Sequence, residues 1–202
     1  MSRDALSQVT LALQRLLHTA LGGAGAPDEH VFIGPPIPTQ VGERSVSLMM
    51  FHLEPNRELR NSERLIDGAG SDPVPQESLP LDVRYLISVH RQASAATPNE
   101  LLALGDVVAG LLAAPTLGGG LLPGQEVRLT PEPYPMEELS RIWGLFPNAP
   151  YATSMIYLAT PVFIDASNAI RGAPVESRRL DSGSSARTPD VFGNAAALGA
   201  IP

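Results

Sequence analysis

The 202-residue sequence contains no cysteine. Disulfides, thiolate metal sites and a cysteine nucleophile are therefore excluded, and the chain fits a reducing compartment. Lysine is absent as well: all 14 basic residues are arginine. That removes a lysine Schiff base and the lysine of a phosphate-binding P-loop. Charge is sparse and mostly negative, with 17% charged residues, 21 acidic side chains and a net charge of -7. No cationic stripe is available for nucleic acid or for an anionic membrane, so neither is expected as a partner. Long apolar runs are missing too. The longest, 101–114, carries Asp106 and is too short to span a bilayer. The first residues hold only Arg3 as a basic group, and Gln14 and Arg15 interrupt the apolar stretch that follows. The expectation is a soluble protein made in the cytoplasm without a signal peptide.

What is present suffices for a globular core. Hydrophobic residues make up 44% of the chain, and a domain of this size buries roughly 70% of its unfolded surface. In residues 2–21, Leu6, Val9, Leu13, Leu16, Leu17 and Leu21 recur at three- and four-residue steps and predict a helix. Ser7, Gln14, Arg15 and His18 fall mostly on its other side, and Gly22-Gly23 stops it. Residues 31–33 form a short strand candidate. Residues 45–53 form a longer one, apolar on both faces and so expected to be covered on both. It ends at Glu54-Pro55-Asn56, before a turn or short helix over 57–65 and an exposed loop over 67–80. Residues 81–89 alternate most cleanly, with Leu81, Val83, Tyr85, Ile87 and Val89 on one face.

Thr97-Pro98-Asn99-Glu100 has the form of a capping box. The helix it opens presents Leu101, Leu104, Val108, Leu111 and Leu112 as its apolar side, with Gly105 and Gly110 permitting close packing. A strand over 127–130 and a stiff Pro131-Glu132-Pro133 link follow. Pro135 starts a helix with Met136, Leu139, Ile142, Trp143 and Phe146 along one side, Trp143 as core. The last strand covers 153–164, where Pro161 marks an edge or a bulge. Beyond Asp165 the composition shifts to Ser, Gly, Ala and Arg without a period. The expected fold is α+β: a mixed, largely antiparallel sheet of four or five strands with about three helices in a domain over 1–165. Residues 166–202 are expected to form an extended or flexible C-terminal arm.

A catalytic constellation is missing. The histidines, His18, His30, His52 and His90, share no metal-ligand spacing on a helix face. His52 and His90 lie near the ends of two predicted strands and could be neighbours if those strands paired. Glu137 and Glu138 are adjacent on a helix and point apart, so they form no acid/base dyad and instead suit the helix dipole. No serine sits in a G-x-S-x-G elbow, and neither glycine run lies between a strand and a helix. No metal or cofactor is expected, nor an enzyme. Two features stand out as contact surfaces: the polar run carrying Asn56, Arg57, Arg60 and Asn61, and the arm with Arg178 and Arg179.

Several segments, in order, carry a resemblance. They are the N-terminal helix, the strand running into Glu54-Pro55-Asn56…Leu59-Arg60-Asn61, Leu79-Pro80-Leu81-Asp82-Val83-Arg84-Tyr85-Leu86, and Met136-Glu137-Glu138-Leu139-Ser140-Arg141-Ile142-Trp143. The final strand after Pro150-Tyr151 also fits. This chain resembles the cap, or tube-and-sheath terminator, proteins of extracellular contractile injection systems, particles related to contractile phage tails. It departs at Pro135, where a capping serine is common, and at Pro161, which interrupts a strand that is commonly continuous.

The resemblance implies a non-enzymatic cap that forms a six-fold ring of itself, ends the inner tube and anchors the distal sheath. Its partners would then be further copies, the inner tube protein and the sheath protein. The particle would stay cytoplasmic or be released on lysis. Other readings are an adaptor of the same particle (baseplate or tail-completion type), an assembly chaperone, and a hydrolase built on His52 and His90.

Overall fold

The computed structural model describes residues 4–42, 44–59, 64–68, 71–76, 78–90, 99–120, 122 and 124–165, with backbone alone for 64–68, 71–76 and 99. In order, the elements are α1 (Ala5–Ala20), β1 (Val31–Ile33), the single-turn α2 (Pro38–Val41), β2 (Val46–Pro55), β3 (Arg64–Gly68) and β4 (Ser71–Gln76). Then come β5 (Ser78–Val89), α3 (Asn99–Ala113), β6 (Thr116–Leu117), β7 (Val127–Glu132), α4 (Met136–Trp143) and β8 (Ser154–Asp165). Six strands form one sheet in the order β1-β2-β5-β8-β7-β6, and β3 pairs with β4 in a separate hairpin. Among the described strands only β1 and β2 run parallel; the other pairs are antiparallel. The class is the expected α+β with a mixed, largely antiparallel sheet, one strand richer than anticipated because β6 is only two residues long. The postulated arm, 166–202, lies outside the described residues, as do Thr97 and Pro98 of the capping box.

The alternation in β5 builds the core. Leu81, Val83, Tyr85, Ile87 and Val89 all turn to one face, where they pack with Ala5, Val9, Leu13 and Leu17 of α1 and Val107 and Leu111 of α3. Tyr85 is fully buried; its hydroxyl meets Thr10 Oγ1 at 2.9 Å, and burial pushes its pKa up to about 12. On the opposite face, Leu86 and Ile156 receive Leu139 and Trp143 of α4. Trp143 is core, as its spacing predicts.

Several expectations need correction. Gln14 and His18, assigned to the outer side of α1, are 6% and 7% exposed. Gln14 is held there because its Nε2 donates to the carbonyl of Val31 at 2.8 Å, tying α1 to β1. The loop expected over 67–80 is instead the β3–β4 hairpin and the start of β5. Strand β2 is covered on both faces only at Val46–Leu48; farther on, Met50 and Leu53 are each 42% exposed. The reason is that β1 pairs only as far as Leu48, so the outer half of β2 has a neighbour on one side only.

Two prolines inside strands, Pro55 and Pro131, have a common explanation. Asn56 N–H donates to the Pro80 carbonyl, so by alternation the nitrogen of Pro55 faces away from β5. Likewise Leu129 N–H donates outward to Pro115, and Pro131, two residues on, also faces away from β8. Neither proline removes a ladder bond, so both strands run farther than the sequence suggested. Pro161 sits in the interior strand β8, where the register with β5 shifts between Leu81 and Val83; Thr160-Pro161 is cis and forms a bulge.

Candidate interface surfaces

The polar corner at the end of β2 is organised by Asn56. Its Oδ1 accepts from the N–H groups of Glu58 and Leu59 at 3.0 and 2.9 Å. Its Nδ2 donates to Asp82 Oδ1 at 2.8 Å and to Thr160 Oγ1 at 3.2 Å. Thr160 in turn donates to the same Asp82 oxygen. One amide side chain therefore turns the chain locally and pins β2, β5 and the bulge of β8 together. Arg57 stands beside it, exposed in the turn. Arg60, Asn61, Arg178 and Arg179 lie outside the described residues.

Next to this corner lies a latch that sequence reading missed. Arg84 on β5 holds Glu132 of β7 in a two-pronged pair, Nε to Oε2 at 2.7 Å and Nη2 to Oε1 at 3.1 Å. Its Nη1 donates to Glu54 Oε1 of β2 at 2.6 Å and lies 3.1 Å from His52 Nδ1. Arg84 stands in register with Leu158 of β8, so its guanidinium reaches past a whole strand to meet Glu132. The Arg84 hydrogen bond and charge hold the Glu54 carboxyl below the usual carboxylate range. The Glu132 hydrogen bond raises the Arg84 pKa further. This is a cross-strand clamp over three strands. Its only sequence trace is one arginine on the polar side of β5.

His52 and His90 do not meet. Their strands pair, but the register sets His52 opposite Arg84, whereas His90 follows Val89 at the other end, opposite Val46. Six residues of strand separate them along β5, roughly 20 Å. His90 Nε2 lies 2.8 Å from Ser47 Oγ, and burial lowers the pKa of this histidine. Ser47 itself is 1% exposed, so this serine–histidine pair opens on no cleft in which a substrate could meet the hydroxyl.

Two cavities among the described residues bear on function. One, of about 730 Å³, is bounded by Thr116, Gly118, Gly119, Gln125, Glu126 and Phe163. The other, of about 470 Å³, lies between β7 and α4 and includes Glu132, the carboxylate already engaged by Arg84. Neither gathers a nucleophile, a base and an oxyanion donor. Among the described residues, no group of three or more His, Asp or Glu side chains converges as a metal site, and no helix is long and apolar enough to cross a membrane.

The fold has known counterparts. The chain matches a sheath/tube terminator of an extracellular contractile injection system (PVC), solved in the extended state. The TM-score is 0.59 at 17% identity, covering 84% of this chain and 61% of that one. It matches the tube-terminating cap of the anti-feeding prophage (AFP) with a TM-score of 0.58 at 19% identity, covering 85% and 59%. This chain thus spans about three-fifths of the length of those proteins. No curated protein sequence matches it significantly. The sequence itself matches the family model described as the Pvc16 N-terminal domain over residues 8–178, and the chain therefore belongs to the Pvc16 N-terminal domain family.

Proposed function

We infer that this protein is a non-enzymatic structural cap that ends the inner tube of a contractile injection particle. The observation that carries this reading is the family match over residues 8–178, joined to a fold like that of a sheath/tube terminator and a tube-terminating cap. The chemistry is consistent with it: polar groups at the sheet corner are spent on each other rather than gathered around a cleft.

A tube grows by head-to-tail contacts that do not close on themselves, so growth stops only when a subunit offers a matching surface below and none above. In our reading six copies form a ring on the last tube layer. The corner carrying Asn56 and Arg57, continued by Arg60 and Asn61, contacts the adjacent copy or the tube. The arm, with Arg178 and Arg179, engages the end of the sheath.

The test is to delete the gene in the producing cell and measure particle lengths by electron microscopy. The expected result is tubes of variable, extended length, restored by supplying the protein. Particles of normal length and intact sheath would overturn the reading. For the finer assignment, Arg60→Ala is expected to weaken ring formation or tube binding; unchanged binding would remove Arg60 from the interface.

A further inference from the structure

Two histidines that the sequence keeps apart meet at the end of α1. His18 stands in the last turn of that helix and is 7% exposed. His30 stands directly before β1 and is half-buried. Their ring centroids lie 5.0 Å apart, with the planes crossed at 63°. Among the described residues, neither His18 Nδ1 nor His30 Nδ1 has a hydrogen-bond partner, although both atoms are buried. A buried polar atom without a partner is costly and asks for an explanation. Two of them on neighbouring rings ask for one ligand that takes both.

The backbone is shaped around the pair. Gly23 lies against the His18 ring, where a Cβ would sit 2.5 Å from Nδ1 and 2.8 Å from Nε2. Only glycine leaves that ring in place. Gly23 N–H donates to the His18 carbonyl at 3.0 Å, which fixes the loop against the ring it covers. The His30 carbonyl accepts from the N–H groups of Ser45 and Val46 at 3.1 and 3.2 Å, so the second ring is anchored at the joint of β1 and β2.

The donor set limits the ligand. The chain has no thiolate, and among the described residues no third His, Asp or Glu converges on the pair. Hard cations such as calcium and magnesium take oxygen ligands, whereas imidazole nitrogen suits zinc, copper and nickel. The spacing agrees with that class. With metal–nitrogen bonds of about 2.0–2.1 Å, two imidazoles on a tetrahedral ion have centroids about 5 Å apart. Rings stacked face to face could not both aim a lone pair at one ion; crossed rings can.

We propose that His18 and His30 bind one divalent cation of the zinc class through their Nδ1 atoms. Water completes the coordination shell from the side of the largely exposed loop 22–26. The ion ties the end of α1 to the start of β1, beside the Gln14–Val31 hydrogen bond that already joins them. The site is independent of the cap reading.

The test is to titrate Zn²⁺ by calorimetry into the full chain, prepared without a histidine tag, and to follow the thermal midpoint. One Zn²⁺ per chain is expected, with a raised midpoint, because the ion binds the folded state. His18→Gln and His30→Gln should each weaken binding about tenfold or more and remove the rise. Gly23→Ala should weaken it too, since it displaces the His18 ring and removes no ligand. His52→Gln should leave binding unchanged. With Cu²⁺ as a spectroscopic probe, electron paramagnetic resonance should show two nitrogen donors in the parent and one in either ligand variant. His30 is only half-buried, so His30→Gln with the parent's circular dichroism spectrum keeps the test clear of misfolding. Absence of saturable Zn²⁺ binding by the parent would overturn the proposal. So would binding that survives His30→Gln.

Discussion

Asn56 uses both ends of its amide inside the fold, capping its own turn and bonding Asp82 and Thr160 across two strands. Asn56→Ala is expected to lower stability by about 2 kcal/mol, since it leaves Asp82 short of a donor and the turn without a cap. Chemical denaturation would measure this. Its neighbour Arg84 is clamped by two glutamates that water still reaches. Arg84→Met should therefore cost only about 1 kcal/mol. The effect of pH divides by residue. His90 has a folded-state pKa depressed by burial below its ordinary 6.5, so the unfolded chain binds the proton first. Stability is full above about pH 7 and falls as pH drops through 6.5 toward the folded value. A series of thermal midpoints should show this slope, and His90→Gln should flatten it. Glu54, also depressed, contributes stability above its ordinary 4.5 that is lost only at lower pH, through its folded value. The latch should therefore survive the histidine transition.

The two glycines of α3 give a test at the scale of the element. Gly110→Ala puts a methyl 2.3 Å from Ala20, and α1 and α3 are neighbours in the core. The gain in helix propensity, about 1 kcal/mol, is offset by an overpacking cost of about 1–3 kcal/mol. A net loss is expected. Gly105→Ala meets open space and should raise stability by about 1 kcal/mol. Opposite signs in one melting experiment would establish the two faces of the helix. Legibility also varied by element. The alternation of β5 and the three-and-four spacing of α1 and α4 are visible in the sequence because burial on one face imposes a period. The β3–β4 hairpin is hidden, since Pro73, Pro75 and its Ser, Asp and Gly residues read as loop. Each strand of a two-stranded ribbon has one open side where a proline costs no ladder bond. Likewise Leu101, Val108 and Leu112 look like core in the sequence because they share apolarity and spacing with residues that are; only the placement of α1 decides which side faces inward.

At the scale of the whole molecule, the proposed cap assigns tube ending to residues 1–165 and sheath contact to residues 166–202. Truncation after Asp165 is expected to leave tube ending intact while sheath retention is lost, which negative-stain microscopy of reconstituted particles would show. Intact sheaths on such particles would take the arm out of the proposal. The sequence alone determined the class of the fold, because hydrophobic periods and turn residues are local properties written along the chain. It also carried the family resemblance, since the order of its motifs survives without coordinates. The tertiary structure decided what depends on register and on which faces meet. It separated His52 from His90 by setting them at opposite ends of one strand pair. It brought Glu54, Arg84 and Glu132 together across β8. And it left one apolar side of α3 exposed. Such outcomes rest on contacts between residues far apart in the chain, and no local pattern encodes them.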